Sequence, residues 1–406
     1  MEPDENGMKR QASSSSSLVS VARLRRELDD LMDIHSHEML RGPDEAIAFQ
    51  GSLVGDAEAT FDTIRERLAA QGYTAWLREG QADGLRVVAV KGVTDEETGR
   101  PWINLVLFIA TALTVLYVGT IQSLVYNEMM ADSVDTFAEG IQALVVQPIT
   151  HIHMGIPFAA TLLGILVTHE LSHYFVAQRH GSPVSLPFFI PLPLPGGLGT
   201  MGAVIMQKSA MRDRKTILDI GVAGPLGGLI VAIPLVILGL SLSEVGPIPP
   251  DVEVVVQEGN SLLYLGLKYL VFGRVLPSNG VDVWLHPVAF AAWAGLLVTM
   301  LNLLPVGQLD GGHVTYALLG ERAHRLGQAV IFAMMGWGGW LLLNGNNAGG
   351  LWLVWSILNL AINRKHPPPL NSVTKLGWKR MALGILVWIL FILLFMPAPM
   401  QQVVVE

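Results

Sequence analysis

The chain has 406 residues, of which 51% are hydrophobic and 15% charged, with a mean hydropathy of +0.46. Soluble domains carry about 25% charged residues, so the composition points to a membrane protein. The net charge of −8 gives no basic footprint for nucleic acid, and the lack of cysteine excludes disulfides, thiolate metal sites and thiol nucleophiles.

Seven of the eight net negative charges fall in residues 1–101, which hold 19 acidic and 12 basic side chains. Residues 1–43 are polar, with a serine run at 13–17, and read as a largely disordered tail with a short helix near 18–34. No basic-then-apolar leader stands at the start, so no cleavable signal peptide is expected. Residues 44–100 read as a small soluble α/β domain. A strand is expected over Ala46–Val54. An amphipathic helix follows over Asp56–Gln71, with Phe61, Ile64 and Leu68 on one face and Gly72 ending it. Strands over Thr74–Arg78 and Leu85–Val90 complete it.

From residue 101 to about 400 the chain reads as a membrane-embedded domain. Apolar stretches at 102–125, 154–178, 217–241, 286–305, 326–343, 349–363 and 380–397 make it a polytopic α-helical membrane protein of about seven spans. Ser261–Phe272 is too short to span and reads as interfacial or re-entrant. The loops at 179–216, 306–325 and 364–380 concentrate the bases, among them Arg179, Lys208, Arg212, Arg214, Lys215, Arg364, Lys365, Lys379 and Arg380. Loops 126–153 and 243–285 carry mainly acids. The positive-inside rule then places the basic loops and the N-terminus in the cytoplasm, in a bacterial inner or plasma membrane. Within the first basic loop, Pro187–Pro195 is apolar and proline-rich. Gly199–Gln207 reads as a strand of a cytoplasmic β-hairpin, whose edge an unwound substrate segment can pair with.

The second span contains VTHELSHYF, an ionisable cluster in an otherwise apolar helix. Such groups are costly in hydrocarbon and point to function. His169 and His173 are four apart and share one face, so both imidazoles reach one metal ion. Glu170 stands beside the first of them, where it reaches water at that metal as a general base. Satisfied polar histidines in a helix bundle are the bland alternative.

A catalytic zinc site needs a third protein ligand. Asp310 in NLLPVGQLDGGH suits this, because Pro305, Gly307, Gly311 and Gly312 break the helix around it and turn the carboxylate back. Asp310 as a plain helix cap, and Asp219 as the ligand in its place, stay open. Asp219 otherwise pairs with Lys215 or caps its own helix. At 1.5 Å per residue, His169 and His173 lie about 15 and 9 Å from Arg179, a level that Asp310 and Asn302 share.

HELSH in one span and NLLPVGQLDGG in a later one, with SLPFFIPLPLPGGLGTMGAVI and GVAGPLGG between them, resemble the site-2 protease family of intramembrane zinc metalloproteases. HELSHYFVAQRHG and HPVAFAAWAG look most like its bacterial and plastid EGY-like subgroup without a PDZ domain. The resemblance covers about residues 155–320. It implies one catalytic zinc ion held by His169, His173 and Asp310, with Glu170 as general base and Asn302 in a supporting role at the developing oxyanion. It also implies membrane-anchored protein substrates cut within the lipid bilayer. No loop has the length of a PDZ domain, and no CBS pair follows the last span.

The competing readings are a metal-binding transporter and a catalytically inactive scaffold; neither needs Glu170 beside the ligands. No GxSG supports a serine-type intramembrane protease. Among the other histidines, His151 and His153 read as interfacial rather than as a second metal site, His35 and His37 as tail residues, and His286 and His313 as flanking the fourth span, with support of the metal ligands as their lesser alternative. Trp337, Trp340, Trp352, Trp355 and Trp378 read as interface anchors or packing.

Overall fold

A computed structural model describes residues 19–40, 46–80, 84–92, 99–127, 137–194, 197–247, 254–362 and 365–404. The serine run at 13–17 lies outside them. The chain divides into two compact units.

The first unit gathers Met1–Glu97 with two later segments, Ser209–Lys215 and Pro367–Leu376. It opens with helix α1 (19–28) and strand β1 (Met32–Leu40). The strand falls inside the stretch expected to be a tail, so His35 and His37 are strand residues. Its alternation is hidden because only Met32 is buried, while its backbone pairs antiparallel with β2 (Ala46–Leu53) across a bulge at His35. Helix α2 (Ala57–Ala70) starts at Asp56, whose carboxylate accepts the backbone N–H groups of Glu58 and Ala59. Strands β3 (Tyr73–Glu79) and β4 (Leu85–Lys91) complete an antiparallel sheet of order β1–β2–β4–β3.

Phe61, Ile64 and Leu68 of α2 are fully buried with Leu24 and Leu28 of α1 and with Phe49, Leu77 and Val87 of the sheet. The outer edge of β3 does not end the sheet. Leu77 N donates to Leu370 O and Ser372 N to Leu77 O, while Leu370 N and Asn371 N donate to Met211 O and Arg212 O. The two later segments thus extend the sheet and satisfy an edge that would otherwise be exposed. Arg212 pairs with Glu58 and Asp62, and Lys215 with Glu58.

The second unit holds Thr98–Lys208, Thr216–His366 and Gly377–Glu406. Helix α3 (Pro101–Tyr126) leads to the short helices α4 (Phe137–Ile141) and α5 (Gln147–Thr150), joined by a π turn. After a 3₁₀ turn comes α6 (Ile156–Arg179), then the hairpin β5 (Phe188–Leu192) and β6 (Gly199–Val204), then α7 (Arg214–Ser241). The hairpin lies against α3. Asn104 Nδ2 donates to the carbonyls of Leu186 and Pro187, Thr114 Oγ1 donates to Gly199 O, and Phe108 meets Phe189 edge-on.

Strand β7 (Glu244–Pro247) pairs with β9 (Val281–Trp284), and β8 (Val254–Glu258) with the C-terminal β10 (Met400–Val404). Between them lies α8 (Leu262–Phe272). Helices α9 (Pro287–Asn302), α10 (Asp310–Leu319), α11 (Arg322–Leu343), α12 (Gly349–Ile362) and α13 (Trp378–Leu394) follow.

Among the described residues, four helices are long and apolar enough to cross a membrane: α3, α6 with its preceding turn, α7 and α11. The expected spans at α9, α12 and α13 are helices of 16, 14 and 17 residues. The segment expected to be a plain loop before α11 contains α10.

Candidate metal centre

His169, Glu170 and His173 sit side by side on α6 and are all buried. The two imidazoles stand one turn apart, with Nε2 atoms separated by 3.2 Å. The Asp310 carboxylate closes the group, with Oδ2 at 3.1 Å from His169 Nε2 and Oδ1 at 3.2 Å from His173 Nε2. Each residue offers one ligand atom, and these atoms lie within 4.8 Å of one another. Ligands bonded at about 2.0–2.1 Å to a tetrahedral zinc ion stand about 3.3 Å apart, so the donor set and its spacing fit that ion.

The local sequence explains how each ligand is held. Gly224 of α7 faces His173, and a Cβ there would lie 2.0 Å from Nε2, so only glycine lets the two helices approach this closely. The next residue, Pro225, removes an N–H from the interior of α7 and loosens its hydrogen-bond ladder. In the preceding turn of α7 the carbonyl of Ile220 lies 2.7 Å from His173 Nδ1. A bond donated from Nδ1 leaves the Nε2 lone pair turned to the ligand cluster.

Asp310 is the first residue of α10, after a sharp turn that begins at the end of α9. Gly311 makes the turn possible, because a Cβ there would meet Leu303 O at 1.9 Å. The carboxylate also sits at a helix N-terminus, where negative charge is favoured. Asn302, the last residue of α9, has Nδ2 at 3.4 Å from His169 Nε2. Glu170 directly follows His169 on α6 and is as deeply buried.

The structure thus brings together His169, His173, Glu170, Asp310 and Asn302. It places Asp219 elsewhere: Arg380 grips its carboxylate through Nε and Nη2 at 2.7–3.1 Å, and His180 Nε2 stands 3.1 Å away. Neither the pairing with Lys215 nor a place at the metal applies, since Lys215 pairs with Glu58. His286 caps α9 through Nδ1, which accepts from Val288 N. His151 is held by Gln147 O. Trp337 and Trp352 both donate to Pro397 O and so fasten the C-terminal segment. Sequence reading missed the roles of Gly224 and of the Ile220 carbonyl. A proline inside a predicted span, two residues before the glycine pair Gly227–Gly228, was the available signal.

Residues 157–343 match the model of peptidase family M50. The chain is 30% identical to probable zinc metalloprotease EGY1, chloroplastic, of Arabidopsis thaliana over 386 residues, covering 87% of this chain and 66% of that protein. It is 30% identical to the Oryza sativa subsp. japonica protein of that name, over 86% of this chain and 62% of the relative. It is 28% identical to probable zinc metalloprotease EGY2, chloroplastic, of Arabidopsis thaliana, over 91% and 63%. The chain therefore spans slightly less than two thirds of the length of these relatives. No solved structure matches.

Proposed function

We propose that this chain, whose residues 157–343 match peptidase family M50, is an intramembrane zinc metalloprotease that hydrolyses peptide bonds of membrane-anchored proteins. The convergence of His169, His173 and Asp310 from two separate helices onto one buried point carries the reading. Zinc, when bound by these three, supplies Lewis acidity that polarises the scissile carbonyl and acidifies water.

The remaining steps fall to the chain's own groups. Glu170 takes the proton of the attacking water and delivers it to the leaving amine. Asn302 directs its amide N–H at the oxyanion of the tetrahedral intermediate. Gly224, Pro225 and the Ile220 carbonyl keep His173 in register. A substrate helix hides its peptide bonds in internal hydrogen bonds, so the segment to be cut must unwind. Strand β6 has only β5 as a sheet neighbour among the described residues, and its other edge receives the unwound segment as an added strand.

The accompanying layout has seven spans, α3, α6, α7, α9, α11, α12 and α13, with the N-terminus and the metal centre toward the cytoplasm. It has a soluble domain that takes in α1 and β1 as well as residues 44–100 and a membrane domain to 400, in a bacterial inner or plasma membrane. The basic residues Arg179, Lys208, Arg212, Arg214, Lys215 and Arg380 support this orientation, because they gather at the ends of α6, α7 and α13.

The test is metal analysis and cleavage of a single-span substrate in vesicles. Glu170→Gln is expected to keep zinc and lose about 10²–10⁴-fold in turnover. Asp310→Ala is expected to lose zinc, while Asp219→Ala keeps it. Full turnover in Glu170→Gln removes Glu170 from the chemistry. Zinc binding with no cleavage by the unaltered chain favours a scaffold or transporter.

A further inference from the structure

Asp310 is the one ligand that α6 does not carry, so its position depends on how the first turns of α10 are held. Three residues beyond it, His313 Nδ1 lies 2.6 Å from Nε2 of His366, with the rings edge-to-face. His366 follows α12 in a connecting segment, yet it is 3% exposed. Its ring stacks on Tyr316, a further turn along α10, at 4.3 Å and 12°. Its backbone carbonyl lies 3.2 Å from His324 Nε2 of α11.

One loop residue therefore grips α10 at the third and sixth positions after Asp310 and ties that grip to α11. Packing alone does not call for histidine here, since an aliphatic side chain fills space without burying polar nitrogens. The 2.6 Å contact requires one ring to donate and the other to accept, which fixes both rings. Gly312, His324 and His366 line a small cavity together with Pro305, Val306 and Gly307, the turn that leads into Asp310.

We propose that His366 is a positioning residue for the metal centre, holding α10 through His313 and Tyr316 so that the Asp310 carboxylate stays level with His169 and His173. The inference rests on the zinc reading of that centre. The residue after it, Pro367, begins the segment that completes the sheet of the first unit, so the clamp is covalently continuous with that unit.

The experiment compares His366→Gln, His366→Phe and His366→Ala in the full-length purified chain. Gln keeps a hydrogen-bonding atom near the Nε2 position, whereas Phe keeps the stack on Tyr316 and loses the bond. The readouts are zinc affinity by chelator competition, the visible absorption of the Co²⁺-substituted centre, and thermal melting. Phe and Ala are expected to lose about tenfold in zinc affinity, the lower end for outer-shell partners of a metal, and to shift the Co²⁺ spectrum. Gln is expected to restore both.

A clamp that is only structural lowers the melting temperature of Phe and Ala but leaves affinity within twofold and the spectrum unchanged, which overturns the proposal. Equal losses in Gln and Phe overturn it as well. If Ala does not fold, the contrast between Gln and Phe decides. Failure of the unaltered chain to bind either metal overturns the zinc reading itself, a separate outcome.

Discussion

Two buried polar clusters in the second unit solve the same problem in opposite ways. In one, Lys268 of α8 is almost wholly buried and pairs with Glu258 at 2.6 Å, with Asp282 at 4.0 Å and its ammonium over the ring of Tyr264. Gln257 donates to Asp282, Gln401 to Gln257 and Asn346 to Gln401, so the network runs on through amide donors. The other cluster gathers two Nε2 atoms and a carboxylate at mutual distances of 3.1–3.2 Å. The first carries its own cation. The second converges donor atoms on one point, where a cation from outside would complete it. Burial of charge alone therefore does not mark a metal site; the convergence of His and Asp donor atoms on one point does.

The largest expected effect comes from breaking the complete cluster. Lys268→Met leaves Glu258 buried without its partner, which costs about 3–5 kcal/mol. Adding Glu258→Leu is expected to recover most of it, because an apolar pair of similar volume needs no compensation. Denaturation of the single and double variants measures both values. Zinc content per folded molecule stays unchanged in each, and loss of zinc in Lys268→Met would show that the two clusters are coupled.

Removing the external cation gives the next effect. If free zinc stands at 100–1,000 times its dissociation constant, stripping it with a chelator lowers stability by about 2.7–4.1 kcal/mol. Re-addition restores it, and melting as a function of zinc concentration reads the change. A melting temperature that ignores chelator sinks the claim that this cluster is incomplete alone. Gly224→Ala tests the same point more gently. Its methyl group displaces His173, and zinc affinity is expected to fall about tenfold, or about 1.4 kcal/mol, as for other changes next to a metal ligand. Chelator competition on the folded variant measures it.

The contrast also shows what a sequence discloses. His169, Glu170 and His173 were legible because helical spacing brings them together within one element. Asp310 was legible as a candidate because glycine and proline announce a break beside it, but choosing it over Asp219 took Arg380, 161 residues further on. The N-terminal helix and strands, α2 and β2 to β4, were legible from their periodicity. Strand β1 was not, since its exposed residues show no alternation and its pairing is all backbone. Likewise, nothing local marks 370–372 as an added strand, Lys268 as buried, or His366 as facing His313. Each depends on contacts between distant segments.

An ion pair on the first unit carries the comparison to its solvent-exposed limit. Arg67 Nη1 and Nη2 donate to the two carboxylate oxygens of Asp30 at 2.6 and 2.9 Å in the first unit, where water screens both groups. The Arg67 hydrogen bonds hold the Asp30 carboxyl below its ordinary pKa. The folded state then binds this proton less readily than the unfolded chain. Its contribution is present above the ordinary carboxylate value and is lost as pH falls through the lowered one. Asp30→Asn should remove that acid-side dependence, leaving variant and parent alike at the acid end and the parent slightly more stable near neutrality. The difference should shrink with added salt, unlike that of the Lys268 variant, because screening reaches exposed pairs far more than buried ones. Melting curves across pH at low and high salt measure it. A gap that widens toward acid would reverse the sign and show that the pair contributes nothing through charge.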